Sequence, residues 1–208
     1  MTDDVPMTVD FRRPEHARAW TESAMSARPW RADFFDVFVQ AIAAASATQH
    51  IRVLELGSGP GFLAQRLLSA NPNLAYVAVD FSATMHELAR QRLGDLTARV
   101  QFVERSLRDA DWGDSLGTFD FAVTHQAVHE LRHKRYAAAL HRQVRQRLKP
   151  SGEYLVCDHF YGEGGMANDQ LYMTVEEQCQ TLLGAGFTRV EPLLVNNGLV
   201  LHRATSSK

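Results

Sequence analysis

Apolar residues fall along this 208-residue chain in two alternating kinds of run. Short runs rich in β-branched and aromatic residues occupy 51–56, 74–80, 99–103, 119–124 and 153–157, and each predicts a buried strand. Between them apolar positions recur at helical spacing. Phe62, Leu63, Leu67 and Leu68 predict one helix, and Tyr136, Leu140, Val144 and Leu148 predict another over 134–149. Thr174-Val-Glu-Glu177 has the form of a capping box, opening a helix that stops at Gly184-Ala-Gly186. Two further strands are expected near 188–194 and 199–203. Before the first strand, 14–24 and 31–45 each read as helical. In the second of these Phe34, Phe35, Phe38 and Ile42 form a stripe expected to pack on the sheet edge. Strand alternating with helix predicts an α/β domain with a mostly parallel sheet.

The sharpest local signal is Val53-Leu-Glu55-Leu-Gly57-Ser58-Gly59-Pro-Gly61-Phe62. A strand runs into three glycines at alternate positions, and a helix starts at once. Such a loop lets a ligand lie against bare backbone, next to the unpaired N–H groups of a helix start. A dinucleotide loop, G-x-G-x-x-G, would place its third glycine at 62, where this chain has Phe. The second strand ends in Asp80, where doubly wound folds place an acid on ribose hydroxyls. Ser82 follows as a helix N-cap.

The pattern Glu55-x-Gly57-x-Gly59-x-Gly61, then Asp80-Phe81-Ser82 and Met85, resembles the class I S-adenosylmethionine-dependent methyltransferases. Leu148-Lys-Pro-Ser-Gly152 resembles that family's Leu-Lys-Pro-Gly-Gly, with Ser151 in place of one glycine. The resemblance implies a Rossmann-like, seven-stranded, mostly parallel sheet with helices on both faces, an antiparallel last strand and an N-terminal helical lid. It implies S-adenosyl-L-methionine as cofactor, lined by Glu55, Gly57, Ser58, Gly59, Gly61, Asp80, Phe81, Met85, Ser106, Leu107 and His125. The family's Gly-Asp after the third strand is Arg105-Ser106 here, so backbone around Ser106 and Leu107, or Asp109, is left to meet the adenine. By the same resemblance residues 1–50 are a lid, with His16, Trp20, Arg28 and Trp30 as candidate cover residues, and 51–208 are the methyltransferase domain.

Composition narrows the partners. Net charge is −2, which makes no electrostatic case for nucleic acid. The densest basic run, Arg135 to Lys149, reads as a solvated helix face. Cys157 and Cys179 lack CxxC partners and read as free thiols of a reducing cytoplasm. No apolar run reaches membrane length, Met1-Thr-Asp-Asp-Val-Pro has no signal-peptide pattern, and no metal site is expected. Oligomeric state is left open.

Methyl transfer from a sulfonium is an in-line displacement whose leaving group needs no acid. Proximity carries much of the rate, and a base is needed only for a protonated nucleophile. The candidates are His129, favoured as base, then His125 after the fourth strand and Asp158 after the fifth, with Glu130 and His159 beside them. A catechol-type magnesium site is disfavoured, because His125 and His159 stand where oxygen ligands are wanted. A small-molecule acceptor is expected. Two rival readings are an NAD-dependent oxidoreductase and a non-catalytic S-adenosylmethionine-binding protein. The loop from Phe160 to Met173 is long for an α/β connection and is expected to border the acceptor.

Overall fold

A computed structural model describes residues 4–46 and 49–206. Met1, Thr2 and Asp3 of the stretch read for a leader lie outside the described residues, as do positions 47 and 48 near the end of the expected lid. The elements run α1 (Pro14–Ala27), α2 (Arg31–Ser46), β1 (Ile51–Leu56), α3 (Phe62–Ala70), β2 (Leu74–Asp80), α4 (Ala83–Leu93), β3 (Val100–Glu104) and β4 (Phe119–His125). They continue with α5 (Ala137–Arg147), β5 (Leu148–His159), α6 (Val175–Gly184), β6 (Arg189–Asn196) and β7 (Leu199–Thr205).

The strands form one seven-stranded sheet in the order β3-β2-β1-β4-β5-β7-β6. All neighbours from β3 to β5 are parallel; β7 runs antiparallel between β5 and β6. The chain steps outward from β1 to β3, then returns to the other side of β1 as β4. That reversal opens a crevice at the carboxyl ends of β1 and β4, where open α/β sheets hold ligands.

Alternation along the buried strands divides the core into two layers. Leu54, Leu56, Val77 and Val79 face α5 and α6, while Val53, Tyr76, Ala78 and Phe121 face α2, α3 and α4. The stripe of α2 corrects the sheet-edge expectation. Phe34, Phe35, Phe38 and Ile42 are buried in the cluster that holds Val53, Phe121, Val123 and Leu155 of the central strands. Four large apolar side chains need a wide apolar surface, which a sheet edge does not offer.

The helix expected over 134–149 is shorter. Lys134–Tyr136 is a 3₁₀ turn, α5 ends at Arg147, and Leu148 has already gone extended and pairs with Phe119. Proline at 150 disfavours helix in the residue before it. A β-bulge lies between the Phe119 and Phe121 pairings with β5. Within it a Cβ on Gly152 would lie 2.9 Å from the Phe119 carbonyl oxygen, so this glycine is needed, whereas Ser151 is exposed and tolerates a side chain. The Thr174–Glu177 capping box and the Ser82 N-cap both form. The basic run breaks into separate contacts: His141 is buried, Arg145 lies over Phe187, Arg147 pairs with Asp114 and Lys149 with Asp120.

Candidate functional site

The three glycines of the loop answer three separate demands. All have positive φ, between 53° and 80°. A Cβ at Gly57 would sit 2.3 Å from the Cβ of Ala127, because the loop after β1 is pressed against the segment after β4. At Gly61 it would lie 3.1 Å from Ala89, where α4 packs on the loop. At Gly59 it would meet nothing within 4 Å. Two glycines therefore serve close packing, and the middle one leaves its backbone open. Ser58 Oγ, buried beside it, has no hydrogen-bond partner.

Asp80 ties this loop to the start of α4. Its Oδ2 accepts the Gly59 N–H at 2.8 Å and its Oδ1 accepts the Ser82 N–H at 2.9 Å. Burial raises its pKa to about 6 against the pull of these N–H groups. Each carboxylate oxygen keeps a further lone pair for an incoming hydroxyl. Glu55 lies one layer deeper: it is 2% exposed, accepts the Tyr76 hydroxyl at 3.1 Å, and burial pushes its pKa well above the carboxylate range. Met85 is buried yet joins neither large apolar cluster. Ser106 and Leu107 are half-buried after β3; Ser106 Oγ accepts the Arg108 N–H, and Leu107 packs on the core. Asp109 is exposed.

Sequence patterns missed a strap formed by residues 4–12. Asp4 meets Arg108 and the Tyr136 hydroxyl, and Val5 N–H donates to the Arg132 carbonyl at 2.8 Å. Ser82 Oγ donates to the Phe11 carbonyl at 2.6 Å, and the Arg12 guanidinium lies 4.6 Å from the Phe81 ring centroid. These partners follow β2, β3 and β4, so the strap crosses the carboxyl ends of those strands. Nothing in its composition marks it; the signal is only its tertiary partners. Of the expected cover residues, Trp20 stacks edge-on with Phe11, His16 Nδ1 accepts the Asp10 N–H, Trp30 packs on the core beneath α2, and Arg28 caps the end of α1.

The candidate chemical groups gather at the carboxyl ends of β4 and β5. His129 Nδ1 bonds Asp158 Oδ1 at 2.6 Å, its backbone N–H donates to Asp158 Oδ2 at 2.8 Å, and its Nε2 lies 3.3 Å from Glu130. Burial alone would lower the His129 pKa, but the Asp158 charge and hydrogen bond, aided by Glu130, raise it to about 10. The two carboxylates thus favour the protonated form of the His129 ring. Burial would likewise raise Asp158, but the His129 charge and hydrogen bond hold it below its ordinary value.

His159 has the opposite character. Its Nδ1 faces the Gly198 carbonyl at 3.3 Å, and its Nε2 faces the Gln126 amide nitrogen at 2.9 Å, which assigns a neutral ring protonated at Nδ1. Burial lowers its pKa to about 4. Gln126 holds this contact from a left-handed backbone, φ 59°. Tyr172, from the long loop, stands 5.5 Å from the His129 ring and 5.8 Å from the His159 ring. A small pocket opens between these three rings, Asp158, Met173 and Gln178. His125 lies under α2 among Phe34, Phe35 and Phe38; burial, then the Arg31 charge, lowers its pKa to about 3. Among the described residues no group of three or more His, Cys, Asp or Glu is arranged to hold a metal ion.

Against known proteins, residues 53–152 match the family model described as a methyltransferase domain. Residues 53–152 are a methyltransferase domain of the class I S-adenosylmethionine-dependent kind. The match covers the strands from β1 to β4, the glycine loop and Asp80, which sets the oxidoreductase reading aside. A malonyl-[acyl-carrier protein] O-methyltransferase of Bacillus cytotoxicus is 36% identical over 61 residues, 28% of this chain and 21% of that protein. The chain thus aligns with about a fifth of that relative's length. An O-methyltransferase family protein of Burkholderia thailandensis has a similar fold, with TM-score 0.77 at 20% identity over 95% of this chain and 61% of that one. The structure of PigF with SAH gives TM-score 0.71 at 16% identity, over 94% of this chain and 60% of that chain. No helix among the described residues is long and apolar enough to cross a membrane.

Proposed function

We propose that the protein transfers a methyl group from S-adenosylmethionine to a small-molecule acceptor by in-line displacement. The observation that carries this reading is the loop itself: Gly59 is held by Asp80 yet open on its outer side, with the unpartnered Ser58 Oγ beside it. Those features suit a bound ribose and a polar methionine end. In this reading Asp80 takes the ribose hydroxyls, Gly57, Ser58, Gly59 and Gly61 shape the cradle, and Phe81, Met85, Ser106 and Leu107 flank the adenine. Glu55, bonded to Tyr76, supports the loop from below. Residues 4–12 and the two N-terminal helices act as the lid, and 51–208 as the catalytic domain.

When bound, the cofactor supplies an electrophilic methyl group and leaves as a neutral thioether. The protein's part is to hold the acceptor in line and exclude water. Asp158 fixes the His129 ring. As an imidazolium, His129 is suited to hold an already ionised acceptor oxygen through Nε2–H, displacing Glu130 from that nitrogen, rather than to take up a proton. This replaces the base role that an ordinary histidine pKa suggests, and the reason is the pair of carboxylates flanking the ring. His125 contributes the neutral wall beneath α2. We place the protein in the cytoplasm, without a nucleic-acid partner.

Calorimetric titration with S-adenosylmethionine, S-adenosylhomocysteine and NAD tests the reading. Micromolar binding of the adenosyl ligands without NAD supports it; binding of NAD alone sinks it. Retained binding with no turnover on any acceptor would mark the binding-protein alternative. Asp80→Ala is expected to weaken cofactor binding by about 1–3 kcal/mol through unpaired hydroxyls. Because the ionised carboxylate is the better acceptor, affinity should also fall as pH drops through about 6. His129→Ala should leave cofactor affinity intact and slow transfer by roughly a hundredfold, as loss of one donor to a charged oxygen does. Nitrogen NMR at mildly alkaline pH should find both His129 ring nitrogens protonated, and a neutral ring would return it to the role of base.

A further inference from the structure

Arg31 is a buried cation without a carboxylate. It is 3% exposed, its Nη1 donates to the Ala24 carbonyl at 3.2 Å, and its guanidinium lies 5.0 Å from the Trp20 ring centroid. Its Nε is enclosed and has no partner. No ion pair to Arg31 or to Arg28 occurs among the described residues. Arginine is almost never buried unless paired, because removing a guanidinium from water without a counter-charge is costly. The fold has a second reason to place it there.

Its surroundings say what that reason is. Arg31 opens α2 one turn before Phe34 and Phe35, whose rings lie 6.3 and 4.9 Å from the His125 ring at the carboxyl end of β4, and its charge bears on His125 and on Cys157, the β5 residue paired with it. Arg28 lies one turn earlier, half-buried at the end of α1, and its charge bears on Arg31, His159 and Tyr172. Arg31 thus stands over the carboxyl end of β4, with Arg28, whose carbonyl accepts the Arg31 N–H at 3.2 Å, next to it. Asp158, the acid of that pocket, is committed on both oxygens, to the His129 ring and to the backbone N–H groups of His129 and His159. A planar guanidinium with free donors is suited to a carboxylate or phosphate.

We propose that Arg31, seconded by Arg28, receives a carboxylate or phosphate of the methyl acceptor, so that the acceptor enters this site as an anion. The inference rests on the methyltransferase reading and narrows its substrate class. It also gives the His129 imidazolium a second cationic group beside the acceptor. The shared chemistry leaves one competing source, the carboxylate of the cofactor itself, and the experiment separates the two.

The full chain and its Arg31→Met variant are titrated with S-adenosylhomocysteine. The complexes are then titrated with benzoate, phenyl phosphate and the neutral benzamide. The expected result is unchanged S-adenosylhomocysteine affinity in the variant, anion binding at least tenfold weaker than in the wild type, and no benzamide binding to either. Whichever anion binds the wild type more tightly tells carboxylate from phosphate. Thermal melting adds a readout that a structural role would not share: removing an unpaired buried charge should raise Tm, whereas loss of a structural contact lowers it. Arg28→Gln, at a half-buried position, provides a second variant and should weaken the same anions severalfold. A fall in S-adenosylhomocysteine affinity with anion binding unchanged would assign Arg31 to the cofactor and overturn the proposal. So would benzamide binding as well as benzoate, anion affinity untouched in both variants, or a lowered Tm in Arg31→Met. Failure of the wild type to bind S-adenosylhomocysteine would instead remove the methyltransferase reading, and this inference with it.

Discussion

Lowering the pH from 7 to about 4 is expected to unfold the domain, because its buried histidines are held neutral. His86, His141, His159 and His202 are all below 9% exposure, and burial lowers each pKa to about 4. The unfolded chain takes up these protons near pH 6.5, well before the folded chain does. The stability that comes from keeping each ring neutral is therefore complete above about 6.5 and is lost as pH falls towards 4. At the lower end each ring withdraws about 3 kcal/mol, and together they rival the whole stability of a typical domain, about 5–15 kcal/mol.

Three groups modify this without reversing it. Asp80, with its pKa raised to about 6, takes up a proton earlier in the folded chain, which returns about one histidine's share below that pH, and Glu55, likewise raised by burial, acts in the same direction. His129, raised to about 10, contributes stability that is complete below pH 6.5 and is lost only as pH rises through about 10, so it leaves the acid transition alone. Circular-dichroism melts should show Tm falling steeply between about pH 6.5 and 4.5, and His202→Leu should flatten that slope. A Tm constant across the window would mean that these rings are wet or already paired.

The second large effect is a contrast between neighbouring glycines. Gly57→Ala puts a Cβ 2.3 Å from the Ala127 Cβ, at a φ of 63°. The left-handed backbone costs about 1–2 kcal/mol and the overlap about 1–3 more. At about 2–4 °C per kcal/mol for a domain of this size, Tm should fall by roughly 10 °C. Gly59→Val meets no protein atom within 4 Å of its Cβ and carries only the backbone strain. It should lower Tm by a few degrees while removing detectable S-adenosylmethionine binding, since its side chain would fill the open side of the loop. Equal loss of stability in both variants would show that the space over Gly59 is not open in the folded protein. Intact binding in Gly59→Val would show that the ligand does not lie over Gly59.

The sequence by itself determined the alternation of strand and helix, the glycine loop, Asp80, both caps and the order of elements. These are written in local periodicity and turn chemistry, which neighbours a few residues apart decide. It also carried the cluster of candidate groups after β4 and β5, because parallel topology sends every such segment to one end of the sheet. Helix and strand limits around Lys149–Gly152 shifted, since pairing with Phe119 outweighed helical periodicity there. Only the tertiary structure decided which glycine packs and which stands open, that α2 covers the middle of the sheet, and that residues 4–12 cross the strand ends. Only it set His129 between two carboxylates and His159 between an amide nitrogen and a carbonyl, and left Arg31 buried without an acid. Each of these depends on groups far apart in sequence meeting in a place shielded from water. There, burial and a single neighbouring charge outweigh the intrinsic preference of the residue.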